Sequence, residues 1–147
     1  MHWRIITVGK PGHAWVKAAL DLYWQRLKHH GCFEHVMIKE GCRAQVEEQM
    51  TAASENSLRV LLDERGRQLR SVELAKWIEN ERISSRKKVS VLIGGADGHS
   101  EVFRARADAC WSLSTLTLQH DIALVVLAEQ LYRAHAILRG EPYHREG

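Results

Sequence analysis

Proline is nearly absent, 2 residues in 147, and glycine contributes only 10, which excludes a disordered low-complexity tract and a collagen-like repeat. No apolar run approaches the roughly 18 residues that a membrane span requires. The opening Met1-His2-Trp3-Arg4-Ile5-Ile6 has no basic region leading into a long apolar stretch, so no secretory leader is expected. Cysteine is scarce as well. Cys32, Cys42 and Cys110 form an odd set without a CxxC spacing, which fits reduced thiols rather than a disulfide framework. Charge of one sign is also missing: 21 Lys and Arg against 18 Asp and Glu leave +3, compatible with a nucleic-acid partner but no proof of one. What is present is 45% hydrophobic residues in a length that suits one domain, 1–147. A cytoplasmic protein with no membrane partner is the expectation.

Periodicity divides the chain into alternating strands and helices. Residues 3–8 read as a buried strand closed by Gly9-Lys10-Pro11-Gly12. Apolar residues recur at helical spacing over 13–30, where Gly31 ends the pattern. Residues 32–38 give a second strand, 43–53 a short polar helix, and 58–63 a third strand. Ser71 is expected to cap a helix to about Glu81, and 89–93 form a fourth strand broken by Gly94-Gly95. Ser100 opens a helix to about Cys110, an irregular fifth strand lies within 111–118, and a last helix covers 121–139. Five such alternations define an α/β fold with a five-stranded, mostly parallel sheet and helices on both faces. Residues 122–128 are apolar on every side, which predicts burial all round and a subunit interface.

Several segments could carry chemistry. Gly94-Gly95-Ala96-Asp97-Gly98 follows a buried strand, where open α/β sheets bind ligands, and it reads either as a ligand cradle or as a plain tight turn. It is neither a Walker loop nor GxGxxG. Leu113-Ser114-Thr115-Leu116-Thr117-Leu118 alternates small hydroxyls with leucine, which suits either an edge strand or a wall that offers backbone polar groups to a planar heterocycle. With Leu62 these pieces fall at one end of the sheet, as an apolar pocket with a few polar groups requires. The terminal Pro142-Tyr143-His144-Arg145 offers an aromatic ring, an imidazole and a guanidinium, or else simply frays. His29-His30-x-Cys32-x-x-His35 has zinc-type ligands, but a strand sends alternate residues to opposite faces, so no metal is expected.

Taken together, Val8-Gly9, Leu61-Leu62-Asp63-Glu64-Arg65-Gly66, Leu92-Ile93-Gly94-Gly95, Trp111-Ser112-Leu113-Ser114, Leu116-Thr117-Leu118, His120, Glu129-Gln130-Leu131-Tyr132-Arg133-Ala134 and Pro142-Tyr143-His144 resemble the ribosomal RNA large subunit methyltransferase H family. The resemblance spans the whole chain. It implies a small SPOUT-class enzyme that uses S-adenosylmethionine, without a metal, to methylate N3 of a pseudouridine in 23S rRNA. It implies a homodimer with a C-terminal trefoil knot, a feature that no composition argument predicts. It places the cofactor against Leu62, Gly94, Gly95, Leu113, Ser114, Thr115, Leu116, Thr117 and Leu118. Tyr143 and His144 become the catalytic pair of the tail, and Arg133 and Arg145 aid RNA placement.

The chain departs from the family pattern in places. Gln119 stands where proline is common, Leu124 where arginine is frequent, and Ala96-Asp97 where Pro-Glu is usual. The segment between the second and third strands is short and poor in lysine, which weakens the phosphate part of RNA affinity. The alternatives are a diverged S-adenosylmethionine-binding homologue with another RNA target or no catalysis, and an unknotted flavodoxin-like nucleotide-binding module.

Overall fold

The computed structural model describes residues 1–145. Five strands, β1 (His2–Val8), β2 (Cys32–Ile38), β3 (Leu58–Gln68), β4 (Lys88–Ile93) and β5 (Ala109–Ser112), form one sheet in the order β2-β1-β4-β3-β5, and every pairing is parallel. Five helices connect and follow them: α1 (Ala14–Leu27), α2 (Arg43–Ala53), α3 (Ser71–Ile83), α4 (Glu101–Ala105) and α5 (His120–Leu138).

A parallel sheet buried on both faces needs strands that are apolar on both sides, and these supply them. Trp3, Ile5, Val60, Leu62, Val89 and Val91 meet Leu20 of α1, Ile78 of α3 and Leu127 of α5 on one face. The alternate residues Ile6, Leu61 and Leu92 meet Val46 and Met50 of α2 and Phe103 of α4 on the other. The expected helices on both faces are therefore present.

Four local readings change. α3 is capped at Arg70, not Ser71, because Glu73 accepts from the Arg70 amide at 2.7 Å while the Ser71 hydroxyl reaches across to Gln130 at 2.6 Å. Ser100 does cap α4, but that helix stops at Ala105, and Cys110 already belongs to β5. α5 is not buried all round: Ile122 is 40% exposed, although Leu124, Leu127, Ala128, Leu131 and Ala134 lie in the core.

The fourth change shapes a cavity at the carboxyl end of the sheet. β3 does not end at Asp63 but runs to Gln68, with a register shift against β5 between Leu62 and Arg67. Residues 63–66 are thereby thrown out of the ladder at the carboxyl end of the sheet. Gly66 permits the return: a Cβ there would lie 2.7 Å from the Cys110 carbonyl carbon and oxygen.

Candidate active site

The carboxyl ends of β3 and β4 and the segment after β5 enclose a cavity of about 460 Å³. Its walls come from three stretches, 62–65, 93–99 and 113–123, within which only Thr115, Asp121 and Ile122 do not reach the lining. Of the cofactor contacts implied by resemblance, Leu62, Gly94, Gly95, Leu113, Ser114, Leu116, Thr117 and Leu118 all line it. The volume falls in the range typical of small-molecule sites.

Each wall has a local cause. The turn after β4 closes through the Gly98 amide donating to the Gly95 carbonyl at 3.0 Å, and Gly98 takes φ +63, which favours glycine. A Cβ at Gly94 would sit 3.1 Å from the Gly98 carbonyl carbon, so the first glycine lets the turn fold back on itself. Ala96 and Asp97 occupy positions in this turn without altering that requirement.

The segment after β5 is irregular because its hydroxyls bond locally instead of entering the sheet. Ser112 Oγ donates to the Ser114 carbonyl at 2.8 Å, and Ser114 Oγ accepts from the Leu116 amide at 2.9 Å. Thr117 Oγ1 donates to Glu64 at 2.7 Å and joins two walls at the cavity's rim. The segment ends at Gln119, whose φ of −59 is the angle a proline ring imposes, so the departure there keeps the backbone path.

From β5 the chain then crosses back over β3 and β4 to the end of β1. There the buried Asp121 carboxylate accepts from the Gly12 amide at 3.0 Å. Leu124 is 2% exposed and faces the small crevice between β1 and β4, so the position where the family often has arginine is filled here by a core residue.

Sequence reasoning took only Leu62 from the wall that follows β3. The structure adds Asp63, Glu64 and Arg65 there, together with Asp97, His99 and His120 from the other walls. Asp63 takes a fork from Arg65, Nε at 2.9 Å and Nη2 at 2.8 Å, plus the Arg65 amide at 2.9 Å. Those bonds hold the Asp63 carboxyl down at about 2. His99 is buried, stacked on Phe103 at 5.5 Å, and its burial lowers its pKa, so it is neutral near pH 7. The signal for this wall was in the sequence: an Asp-x-Arg-Gly run directly at the end of a buried strand.

The tail lies elsewhere. Tyr143 packs edge-on against Tyr132 at 4.7 Å and donates to Glu129 at 3.1 Å, and Arg133 covers its ring at 4.8 Å. Burial, with Tyr23 and Glu129 beside it, raises the phenol above its ordinary range, so Tyr143 stays a neutral donor. Arg133 also donates from Nε to Glu129 at 3.0 Å and from Nη1 to His144 Nδ1 at 3.2 Å. Because guanidinium only donates, Nδ1 is the accepting nitrogen of His144 in this arrangement. Arg145 is exposed. None of these four lines the cavity of its own chain: Glu129 is nine residues along α5 from His120, about 13 Å of helix.

The His29, His30, Cys32 and His35 group does not gather. His35 meets Thr7 at 2.8 Å, His30 lies edge-on to Tyr132 and tilted against His135, and Cys32 lies 4.0 Å from His2. No cluster of three metal-ligating side chains exists among the described residues.

The chain is a parallel α/β sheet with a cavity built from three segments at its carboxyl end, and the family model described as predicted SPOUT methyltransferase matches residues 1–144, which makes it a SPOUT methyltransferase. A solved structure of a probable methylase family protein from Haemophilus influenzae shares the fold, with a TM-score of 0.57 at 12% identity over 98% of this chain and 70% of that one. The SPOUT fold carries the C-terminal trefoil knot. More narrowly, the chain is 39% identical over 148 residues to ribosomal RNA large subunit methyltransferase H of Thermus thermophilus, covering 99% of both. It is 37% identical over 145 residues to the protein of that name from Deinococcus radiodurans, again covering 99% of both. The chain belongs to the ribosomal RNA large subunit methyltransferase H family.

Proposed function

We propose that this protein transfers a methyl group from S-adenosylmethionine to N3 of a pseudouridine in 23S rRNA, acting in the cytoplasm as a homodimer and without a metal. The observation that carries the reading is the convergence of residues 62–65, 93–99 and 113–123 on one cavity at the carboxyl end of a parallel sheet. The lining suits the donor. Leu62, Ile93, Leu113 and Leu118 offer apolar surface to a planar heterocycle, and Glu64 and Asp97 offer negative charge to a cationic molecule.

When bound, the donor supplies an electrophilic methyl on a sulfonium, and transfer is an in-line displacement. The chain's task is then to hold donor and ring near attack geometry, where positioning accounts for much of the rate. N3 of the uracil ring carries a weakly acidic proton, and losing it makes the nitrogen a better nucleophile. His144 takes that proton once its Nδ1 is released from Arg133, and Tyr143 orients the ring as a hydrogen-bond donor. Arg145, and Arg133 after the same release, contact the RNA backbone.

The position of the tail supports the dimer. Tyr143 and His144 are remote from the cavity of their own chain, so the site is completed by the tail of a second copy. Trp15 and Leu22 on α1 and Ile122 on α5, the last between His120 and Ala123 of the cavity wall in sequence, are exposed apolar side chains that suit burial against that copy. No helix of the described residues is long and apolar enough to cross a membrane.

Two measurements test the reading. Calorimetry should find one S-adenosylmethionine per chain, and sedimentation should find a dimer. Mixing His144→Ala chains with chains impaired at the cavity should restore turnover in the heterodimer, which a site completed within one chain would not do.

A further inference from the structure

We propose that Arg65, fixed in a fork by Asp63 at the rim of the cavity, binds the carboxylate of the amino-acid end of the methyl donor. The inference rests on the reading of the cavity as a methyl-donor site and deepens it. The Asp63 side chain is 7% exposed and Arg65 52%, so the carboxylate is the anchor and the guanidinium the part that faces outward. Asp63 occupies Nε and one Nη2 proton, and Nη2 also reaches the His99 carbonyl at 3.5 Å. Nη1 has no hydrogen-bond partner among the described residues, which leaves two donors on a guanidinium whose orientation is already set. An oxyanion is the natural acceptor for them.

Two oxyanions could come to this rim: the carboxylate of the donor and a phosphate of the RNA. The neighbours favour the carboxylate. Glu64 and Asp97 share the lining, and they repel a polyanionic backbone but complement the ammonium that accompanies a carboxylate in an α-amino acid. The 63–66 loop exists only because β3 leaves its register at this point, so the fork is built into the wall of the cavity and not laid on the surface.

Calorimetry with four ligands of the unaltered protein and of Arg65→Met tests the assignment. S-adenosylmethionine and S-adenosylhomocysteine carry the carboxylate, decarboxylated S-adenosylmethionine lacks only that group, and methylthioadenosine lacks the whole amino-acid end. For the unaltered protein the decarboxylated donor should bind about tenfold or more weakly than S-adenosylmethionine. In Arg65→Met, S-adenosylmethionine and S-adenosylhomocysteine should weaken to that level while the other two ligands keep their affinities. Asp63→Asn combined with Arg65→Met removes the buried carboxylate with its partner, and it should give the same pattern if the single variant folds poorly.

Equal weakening of all four ligands would overturn the proposal, because Arg65 would then serve only to hold the rim. An unchanged pattern would overturn it too. Unchanged donor binding with weaker binding of a 23S rRNA fragment would reassign Arg65 to phosphate. Failure of the unaltered protein to bind any of the four would instead overturn the methyl-donor reading itself.

Discussion

The phenol of Tyr143 donates to the Glu129 carboxylate at 3.1 Å, and Arg133 closes over the same ring while bonding that carboxylate. A tail that would otherwise fray is thereby tied to α5, with His144 held against the same guanidinium. Glu129 and Arg133 stand four apart on the helix, so one helical turn supplies both halves of the clamp. Glu129→Ala should release the tail, and C-terminal residues should become accessible to carboxypeptidase at a markedly higher rate. Melting temperature should fall little, since the clamp lies outside the core. An unchanged digestion rate would show that the tail is held by other contacts.

The raised pKa of Tyr143 gives a test with a definite sign. Burial favours the neutral phenol in the folded protein, so folding resists its ionisation, and that contribution to stability is lost only as pH rises above the ordinary value of 10.0. Absorbance titration should show a tyrosine ionising late, and Tyr143→Phe should remove that component. If the late component survived in Tyr143→Phe, its assignment to this clamp would be wrong.

Acid should destabilise the protein through its buried histidines. Burial lowers His30, His35, His99 and His135, the last to about 4, while Nδ1 of His135 donates to the Leu131 carbonyl at 2.7 Å. A lowered histidine pKa means that the neutral form is favoured by folding. The contribution is present above 6.5 and disappears as pH falls through the folded value. For His135 alone the loss should reach about 3 kcal/mol near pH 4. His135→Phe keeps a ring among Trp3, Phe33 and His30 and should flatten this acid limb of the stability curve. A curve of unchanged steepness would contradict the assignment.

Gly66→Ala should be far more damaging than its size suggests. The added methyl meets backbone atoms of Cys110 at 2.7 Å, and backbone cannot rotate away as a side chain can. We expect a loss of about 1–3 kcal/mol in denaturant unfolding and weaker ligand binding, because the 63–66 wall would shift. Normal stability and affinity would mean that the β3–β5 register tolerates the change.

Much of the architecture was legible because periodicity and burial coincide. Residues 32–38 and 43–53 read from the pattern are the bounds observed for β2 and α2. Other elements were harder for identifiable reasons. β3 was read as ending at Asp63 because 64–68 is polar; its continuation depends on pairing with β5 across a bulge, a tertiary fact with no local pattern. The α4 helix was read as running to Cys110 because the chain turns into β5 through Ala107 and Asp108 without a glycine or proline to mark the end. The cavity's glycine turn and leucine-rich wall were visible as segments. That Asp63 and Arg65 grip each other at its rim was not, since it depends on the same bulge. The distance of Tyr143 and His144 from the cavity of their own chain likewise follows from how the tail folds back along α5, which no spacing in the sequence encodes.

The most direct test is to incubate the purified protein with labelled S-adenosylmethionine and ribosomes from a strain lacking this methylation, then map the label on the RNA. The account predicts label on N3 of one pseudouridine in 23S rRNA, lost in His144→Ala while RNA binding persists. Cofactor binding without any transfer, or label on a different nucleotide, would contradict it.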